Sequence, residues 1–116
     1  MSNRTDTGIA SLREGLIKAR ALIDTPDKWC QGSGRNGLSM CTVVAVGSVV
    51  GNGSLFDDCC NALSAELPDG YRGGEIKFND DPTTTHSDIM SLFDRAIARL
   101  DVNLFLPLLS SLMEWV

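Results

Sequence analysis

The 116-residue sequence has no cluster of lysine or arginine, and it has only one histidine, His86. Ten basic side chains are outnumbered by fifteen acidic ones, which gives a formal net charge of -5. A surface that binds a phosphate backbone needs concentrated positive charge. We therefore expect no direct binding of nucleic acid.

Long hydrophobic runs and paired cysteine motifs are also missing. No apolar run reaches the roughly 20 residues that a membrane-spanning helix needs, and the polar start MSNRTDTGIA lacks the apolar core of a signal peptide. The four cysteines form no C-x-x-C pair, and Cys59 is adjacent to Cys60. These features predict a cytoplasmic protein with reduced thiols, no disulfide framework and no membrane contact.

The hydrophobic content is sufficient for one core. Hydrophobic residues make up 43% of the chain, and a chain of this size buries roughly two thirds of its unfolded surface. Folding therefore requires no metal or disulfide, and we expect neither a metal nor a cofactor. We predict a single domain over residues 1–116, with residues 1–6 disordered.

Apolar residues recur at helical spacing in several segments, which predicts a mainly α fold, a compact bundle of four to five helices. The clearest stripe comprises Leu12, Leu16, Ala19 and Ile23. The run MCTVVAVGSVVG is apolar on all sides, so periodicity does not choose between strand and helix there. Its small residues favour a helix. The fold leaves room for one short strand or hairpin, for which EIKF around Ile76 is the candidate.

The tail LFLPLLSSLMEWV has almost no polar face. Pro107 suits a helix start, so we predict an apolar C-terminal helix over residues 104–116. Such a segment must be covered by the domain or by a partner, and we expect a protein partner or a homodimer. The predicted interface residues are Leu106, Leu109, Leu112, Met113 and Trp115.

His86 follows a turn rich in Asp and Thr within FNDDPTTTHSDIMSLFDRAI. Thr85 and Asp88 have the spacing of an N-cap and the third helical residue, so His86 should be the first residue of a helix. Ser54 and Asp57 have the same spacing. We expect His86 to be fixed by hydrogen bonds to Asn79 or Asp80 across the turn.

Aromatic and polar residues next to the glycine-rich loop CQGSGRNGLS indicate a possible pocket. An aromatic wall with a few convergent polar groups is the usual make-up of a ligand site, whereas the alternative is a tryptophan that plugs the end of the bundle. The predicted binding residues are Trp29, Gln31, Arg35, Asn79, Asp80 and His86.

Two other chemistries use overlapping residues. A Cys/His-dependent hydrolase or transferase would use Cys41 as nucleophile, His86 as base and Asn79 to orient the base, and the alternative for Cys41 is a small core residue. A metal site would draw on Cys30, Cys41, His86 and Asp80, but the paired ligands of a zinc knuckle are missing. We favour neither.

Several motifs resemble those of a family of small bacterial and phage-encoded proteins of unknown function. That family typically shows W-x-Q-G after an arginine-rich helix, a C-A-L-G-A-like helix, and W-N-D-x-P-x-x-T-H leading into F-D-x-A-I. Phe78 stands where tryptophan is usual, and CTVVAVG replaces the alanine-rich run. The resemblance covers roughly residues 12–100 and implies a compact, mainly helical domain without a known activity. The matching residues are Trp29, Gln31, Gly32, Cys41, Gly47, Asn79, Asp80, Pro82, Thr85, His86, Phe93, Asp94, Ala96 and Ile97.

The favoured function is a non-enzymatic protein-interaction or regulatory module. We expect the module to be phage-related and to act on a host protein as an inhibitor. The alternative is the Cys41/His86 enzyme.

Overall fold

The computed structural model describes the backbone of residues 3–32, 34–71 and 74–113, and the side chains within residues 8–102 of those ranges. This part of the chain contains five α-helices, one short 3-10 helix and one two-stranded hairpin, which confirms the mainly α prediction. In chain order the elements are α1 Asn3–Leu22, the 3-10 helix Pro26–Lys28, β1 Arg35–Asn36, β2 Ser39–Met40, α2 Thr42–Val50, α3 Ser54–Ser64, α4 Glu75–Asp80 and α5 His86–Met113.

Two ion pairs show how the long helices α1 and α5 are aligned. Arg20 Nε lies 2.8 Å from Asp94 Oδ1, and Arg13 pairs with Asp101. Residue numbers fall by seven along α1 while they rise by seven along α5, so the two helices are antiparallel. Both pairs are substantially exposed, and each contributes little stability. They therefore indicate the alignment of the two helices but do not determine it.

The core forms where α1 and α5 meet the shorter helices. The predicted α1 stripe is confirmed at Leu16, Ala19 and Ile23, which are fully buried. Helices α2, α3 and α4 add further side chains to one continuous cluster. The largest fully buried apolar side chains are Phe93, Leu16, Ile23, Leu63, Ile89, Leu92 and Val46.

Helix α2 occupies the all-round apolar run, so the helical interpretation of residues 42–50 is confirmed. Cys41 is its N-cap residue, and Gly51 ends it in a positive-φ conformation (φ 76°) that favours glycine. The hairpin lies instead in the glycine-rich loop. Its two-residue turn begins at Gly37, whose φ of 63° is of the type that a tight hairpin turn requires.

The segment EIKF is the start of α4, so the prediction of a strand around Ile76 was wrong. Ile76 is 58% exposed whereas Phe78 is 6% exposed. Residues two apart share one face of a strand but diverge on a helix, so only a helix separates them in this way. The four residues of EIKF are too few to distinguish the period of a strand from that of a helix.

One of the two predicted capping boxes forms. At the start of α5, Thr85 N donates to Asp88 Oδ2 (2.9 Å) and Asp88 N donates to Thr85 Oγ1 (3.1 Å). At the start of α3, the N-cap residue is Gly53 and no side chain caps the helix, so the box predicted for Ser54 was wrong.

Helix α5 continues without interruption through Pro107 to Met113. Residues 104–113 of the predicted C-terminal helix are therefore helical, but the prediction that a helix starts at Pro107 was wrong. The side chains of Leu106, Leu109, Leu112 and Met113 lie outside the described residues, as does Trp115 altogether. The predicted disorder of residues 1–6 stays a prediction, although α1 begins at Asn3. No helix in the described chain is long and apolar enough to cross a membrane.

Two glycines of α1 provide a matched stability test. A Cβ added at Gly8 would meet nothing within 4 Å, whereas one at Gly15 would lie 2.9 Å from Val50 Cγ1 and 3.4 Å from Cys59 Sγ. Alanine in place of a helical glycine gains up to about 1 kcal/mol of helix propensity. We expect Gly8→Ala to raise the free energy of unfolding and Gly15→Ala to fall short of that gain, as measured by urea denaturation. Equal stabilisation of both variants would contradict the close approach of α1 to α2 and α3.

Candidate functional site

The side chain of Asn79 makes hydrogen bonds to four other residues of the chain. Asn79 is the second-to-last residue of α4 and is 1% exposed. Its Oδ1 accepts hydrogen bonds from Trp29 Nε1 (2.7 Å), Thr42 N (3.0 Å) and Thr42 Oγ1 (2.8 Å). Its Nδ2 donates to Cys30 O (3.0 Å) and to Asp80 Oδ1 (2.9 Å). We call this set of contacts the Asn79 network.

The chemistry of the partners fixes the orientation of the Asn79 amide. Trp29 Nε1 and Thr42 N can only donate, and Cys30 O can only accept. The amide oxygen must therefore face the first two groups and the amide nitrogen the third. Aspartate in this position could not donate, and an apolar residue would leave buried polar groups without partners, which costs about 1–3 kcal/mol for each group.

Gln31 and Gly32 attach the loop before β1 to the turn between α4 and α5. Gln31 Nε2 lies 2.9 Å from Asn79 O, 2.7 Å from Asp81 O and 3.3 Å from Thr84 O. Gly32 N donates to Asp80 Oδ1 at 2.9 Å. The donors of Gln31 thus satisfy carbonyls of the turn, and little of their capacity remains for a ligand or an oxyanion.

His86 is the first residue of α5, as predicted, but its partner is different. Its Nε2 lies 2.7 Å from Ile23 O, just beyond the end of α1, so the prediction of a bond to Asn79 or Asp80 was wrong. Because a carbonyl oxygen only accepts, Nε2 carries the proton. The ring also lies near Trp29, with centroids 6.0 Å apart at 53°. His86 therefore joins the start of α5 to the end of α1.

Cys41 and His86 make separate contacts. Cys41 is 7% exposed, and its Sγ accepts from Val44 N (3.4 Å) at the start of α2. Within the described chain no hydrogen bond joins Cys41 to His86, and the proton on His86 Nε2 faces Ile23 O. A cysteine nucleophile needs a base within hydrogen-bond reach, and the two residues do not form that pair here.

The other thiols are also poorly suited to chemistry. Cys59 is fully buried, and burial raises the pKa of Cys59 and of Cys60 to about 11. Burial likewise raises the pKa of Cys30. Among the described residues, no group of three or more His, Cys, Asp and Glu side chains lies close enough to hold a metal ion.

The structure thus brings together five of the six predicted binding residues, namely Trp29, Gln31, Asn79, Asp80 and His86. Arg35 lies on β1 instead, where its Nη2 is 3.3 Å from Ser48 Oγ of α2. Sequence reasoning missed Thr42, which is fully buried and supplies two donors to Asn79. Its only signal was one of the two hydroxyl side chains, Thr42 and Ser48, in a mostly apolar run.

Sequence reasoning also missed Asp81. Hydrogen bonds from the Tyr71 hydroxyl and from Thr83 N (2.8 Å) and Thr83 Oγ1 (2.7 Å) converge on its carboxylate. These bonds lower the pKa of Asp81 to about 2. Asp81 therefore fastens the α3–α4 connection to the turn that precedes α5.

The fold and site define a mainly α-helical domain whose loops are tied together by one buried asparagine. The model of a family of unknown function, DUF6197, matches residues 10–99, and the chain belongs to that family. The match includes the whole Asn79 network and confirms the predicted membership of an uncharacterised family. No curated protein and no solved structure matches the chain.

Replacing Asn79 tests the network. We expect Asn79→Ala to lower the free energy of unfolding by about 2–5 kcal/mol, because several buried donors and acceptors lose their partner. Asn79→Asp keeps the shape but cannot donate to Cys30 O and places a second carboxylate beside Asp80, so it should also destabilise. Asn61→Ala, at an exposed position of α3, is the control and should not destabilise. The free energies of unfolding are measured by urea denaturation. An Asn79→Asp variant as stable as the wild type would contradict the hydrogen bonds assigned to the Asn79 amide.

Asp81 gives a pH-dependent test. Its folded pKa of about 2 lies below the roughly 3.9 of an unfolded aspartate. The stabilisation is therefore complete above about pH 4 and is lost as the pH falls towards 2. We expect the unfolding free energy of Asp81→Asn to depend less steeply on pH over this window than that of the wild type or of the exposed control Asp69→Asn. Parallel profiles for all three proteins would contradict the role of Asp81.

Proposed function

We propose that this protein is a non-enzymatic interaction module that forms a homodimer through the last part of α5. The observation that carries the proposal is the position of Val102, which is 53% exposed on that helix. The polar groups of the motif residues supply indirect support, because they bond mainly to one another and leave little capacity for catalysis.

The exposed side of α5 continues as an apolar face. With about 100° between successive residues of a helix, the positions of Leu106, Leu109 and Met113 fall within about 40° of that of Val102. Leu112 lies about 80° away, at the edge of the same face. The apolar positions of this part of α5 therefore continue the side of the helix on which Val102 is exposed to solvent.

The core-facing side of α5 also continues beyond Leu100. Phe93 and Leu100 are buried, and their positions lie about 160–180° from that of Val102. Leu104, Pro107 and Ser111 continue this side of the helix, about 140–180° from Val102. Beyond Leu100, α5 thus has apolar positions on both sides, and those opposite the core side support contact with another molecule.

A second copy of the chain is the partner that best fits this small set of apolar side chains. Burying a Leu or Met side chain contributes about 1.5–3 kcal/mol, and a symmetric contact doubles the set that one copy offers. The total is comparable to the association cost of about 4–15 kcal/mol, so we expect a dimer that dissociates on dilution. A phage-related origin, an inhibitory action on a host protein and a cytoplasmic location stay predictions attached to this proposal.

The test is the solution mass of the full chain and of charge variants. We expect light scattering to give twice the 12.5 kDa chain mass at high micromolar concentration, and the Leu109→Glu variant to give one chain mass, because a carboxylate cannot be buried unpaired in the contact. The helical circular dichroism of the variant should be unchanged.

The matched control is Ile76→Glu, which places the same charge at an exposed apolar position of α4 and should leave the dimer intact. A monomeric wild type, or a dimer that survives Leu109→Glu, would overturn the proposal.

A further inference from the structure

A cleft of about 340 Å³ lies between the α3–α4 connection, the turn before α5 and the first turns of α5. Its volume falls within the roughly 300–1,000 Å³ of typical small-molecule sites. Neither Asn79 nor Trp29 lines it. The cleft is therefore distinct from the Asn79 network. The α5 residues that line it precede Val102, so it is also separate from the proposed dimer contact.

One wall of the cleft is aromatic and held in place. The rings of Tyr71 and Phe78 pack edge to face, with centroids 5.2 Å apart at 75°. Phe78 is anchored in the core at 6% exposure, and the Tyr71 hydroxyl is bonded to Asp81. A preformed aromatic wall offers an apolar surface without further loss of side-chain entropy.

Two donors on α5 face the same cleft. Ser91 and Arg95 both line it, and residues four apart lie one above the other on a helix. Arg95 Nη2 donates to Glu66 O at 3.3 Å, which occupies one of the five N–H groups of a guanidinium. The Glu66 carboxylate is paired with Arg99 (2.9 Å), and in the described residues no carboxylate lies within ion-pair distance of Arg95.

The acidic residue of the cleft lies towards its other end. Asp88 is seven residues before Arg95, about 10 Å along the helix, and its Oδ2 accepts from Thr85 N (2.9 Å). At this separation in water, its repulsion of an anion bound at Arg95 is well under 1 kcal/mol. The polarity of the cleft thus directs a negative group to the end that holds Ser91 and Arg95.

We propose that this cleft binds a small molecule with an aromatic or apolar body and one oxyanion, either a carboxylate or a phosphate. The body packs against Tyr71 and Phe78. The oxyanion accepts hydrogen bonds from Ser91 Oγ and from the Arg95 guanidinium, a charge-assisted contact of the kind for which arginine is suited.

The test is a nuclear magnetic resonance titration of the full chain with three probes: benzoate, phenyl phosphate and the neutral benzyl alcohol. We expect saturable amide shifts centred on the cleft for at least one of the two anions, with weaker binding of the alcohol. The anion that binds more tightly identifies the oxyanion the cleft prefers. Arg95→Gln should weaken the binding of that anion at least about tenfold, because it removes a charge-assisted hydrogen bond.

Arg13→Gln removes the same charge from a half-buried position on α1, outside the cleft, and is the control that should leave affinity unchanged. Because Arg95 is exposed, its replacement should preserve the fold, which the amide spectrum itself reports. The proposal is overturned if neither anion saturates, if the alcohol binds as tightly as the anions, if the shifts centre elsewhere, or if Arg95→Gln binds like the wild type.

Discussion

The fold depends on the side-chain amide of Asn79. Its two polar atoms meet five groups from the two residues after the 3-10 helix, the start of α2 and the end of α4. The partners Trp29 and Thr42 are 50 and 37 residues away in sequence. In an interior of low dielectric, each of these hydrogen bonds is strong, and each would be costly to leave unmade. One amide therefore imposes a single arrangement on the loop after the 3-10 helix and on the helices α2 and α4.

The residues that resemble a catalytic set make hydrogen bonds to the backbone of the domain itself. A histidine, a cysteine at a helix start, an asparagine and a glutamine are the residue types of a Cys/His hydrolase. Here Gln31 binds carbonyls of the turn, and His86 donates to Ile23 O at the end of α1. Cys41 accepts from Val44 N. Residue types with strong hydrogen-bonding capacity serve equally well to close loops, and only their partners distinguish the two uses.

Helix α5 takes three different environments along its length. Its first turns carry the capping box and the donors of the cleft, Ser91 and Arg95. Its middle buries Phe93 and Leu100 in the core. Beyond Leu100, apolar positions lie on both sides of the helix, and we propose that the side opposite the core contacts another molecule. A single 28-residue helix therefore carries part of a proposed ligand cleft and a proposed dimer contact.

The sequence by itself determined the helices with clear periodicity and the cap of α5, because those features depend on residues within a few positions of each other. The α1 stripe and the Thr85–Asp88 box follow from spacing alone. Only the tertiary structure decided that EIKF is helical, because four residues carry too little period and the burial of Phe78 comes from the core. It alone also decided that His86 bonds to Ile23 and that Thr42 completes the Asn79 network. Those partners are 37 to 63 residues apart, and no local pattern encodes a contact that exists only when distant segments pack together.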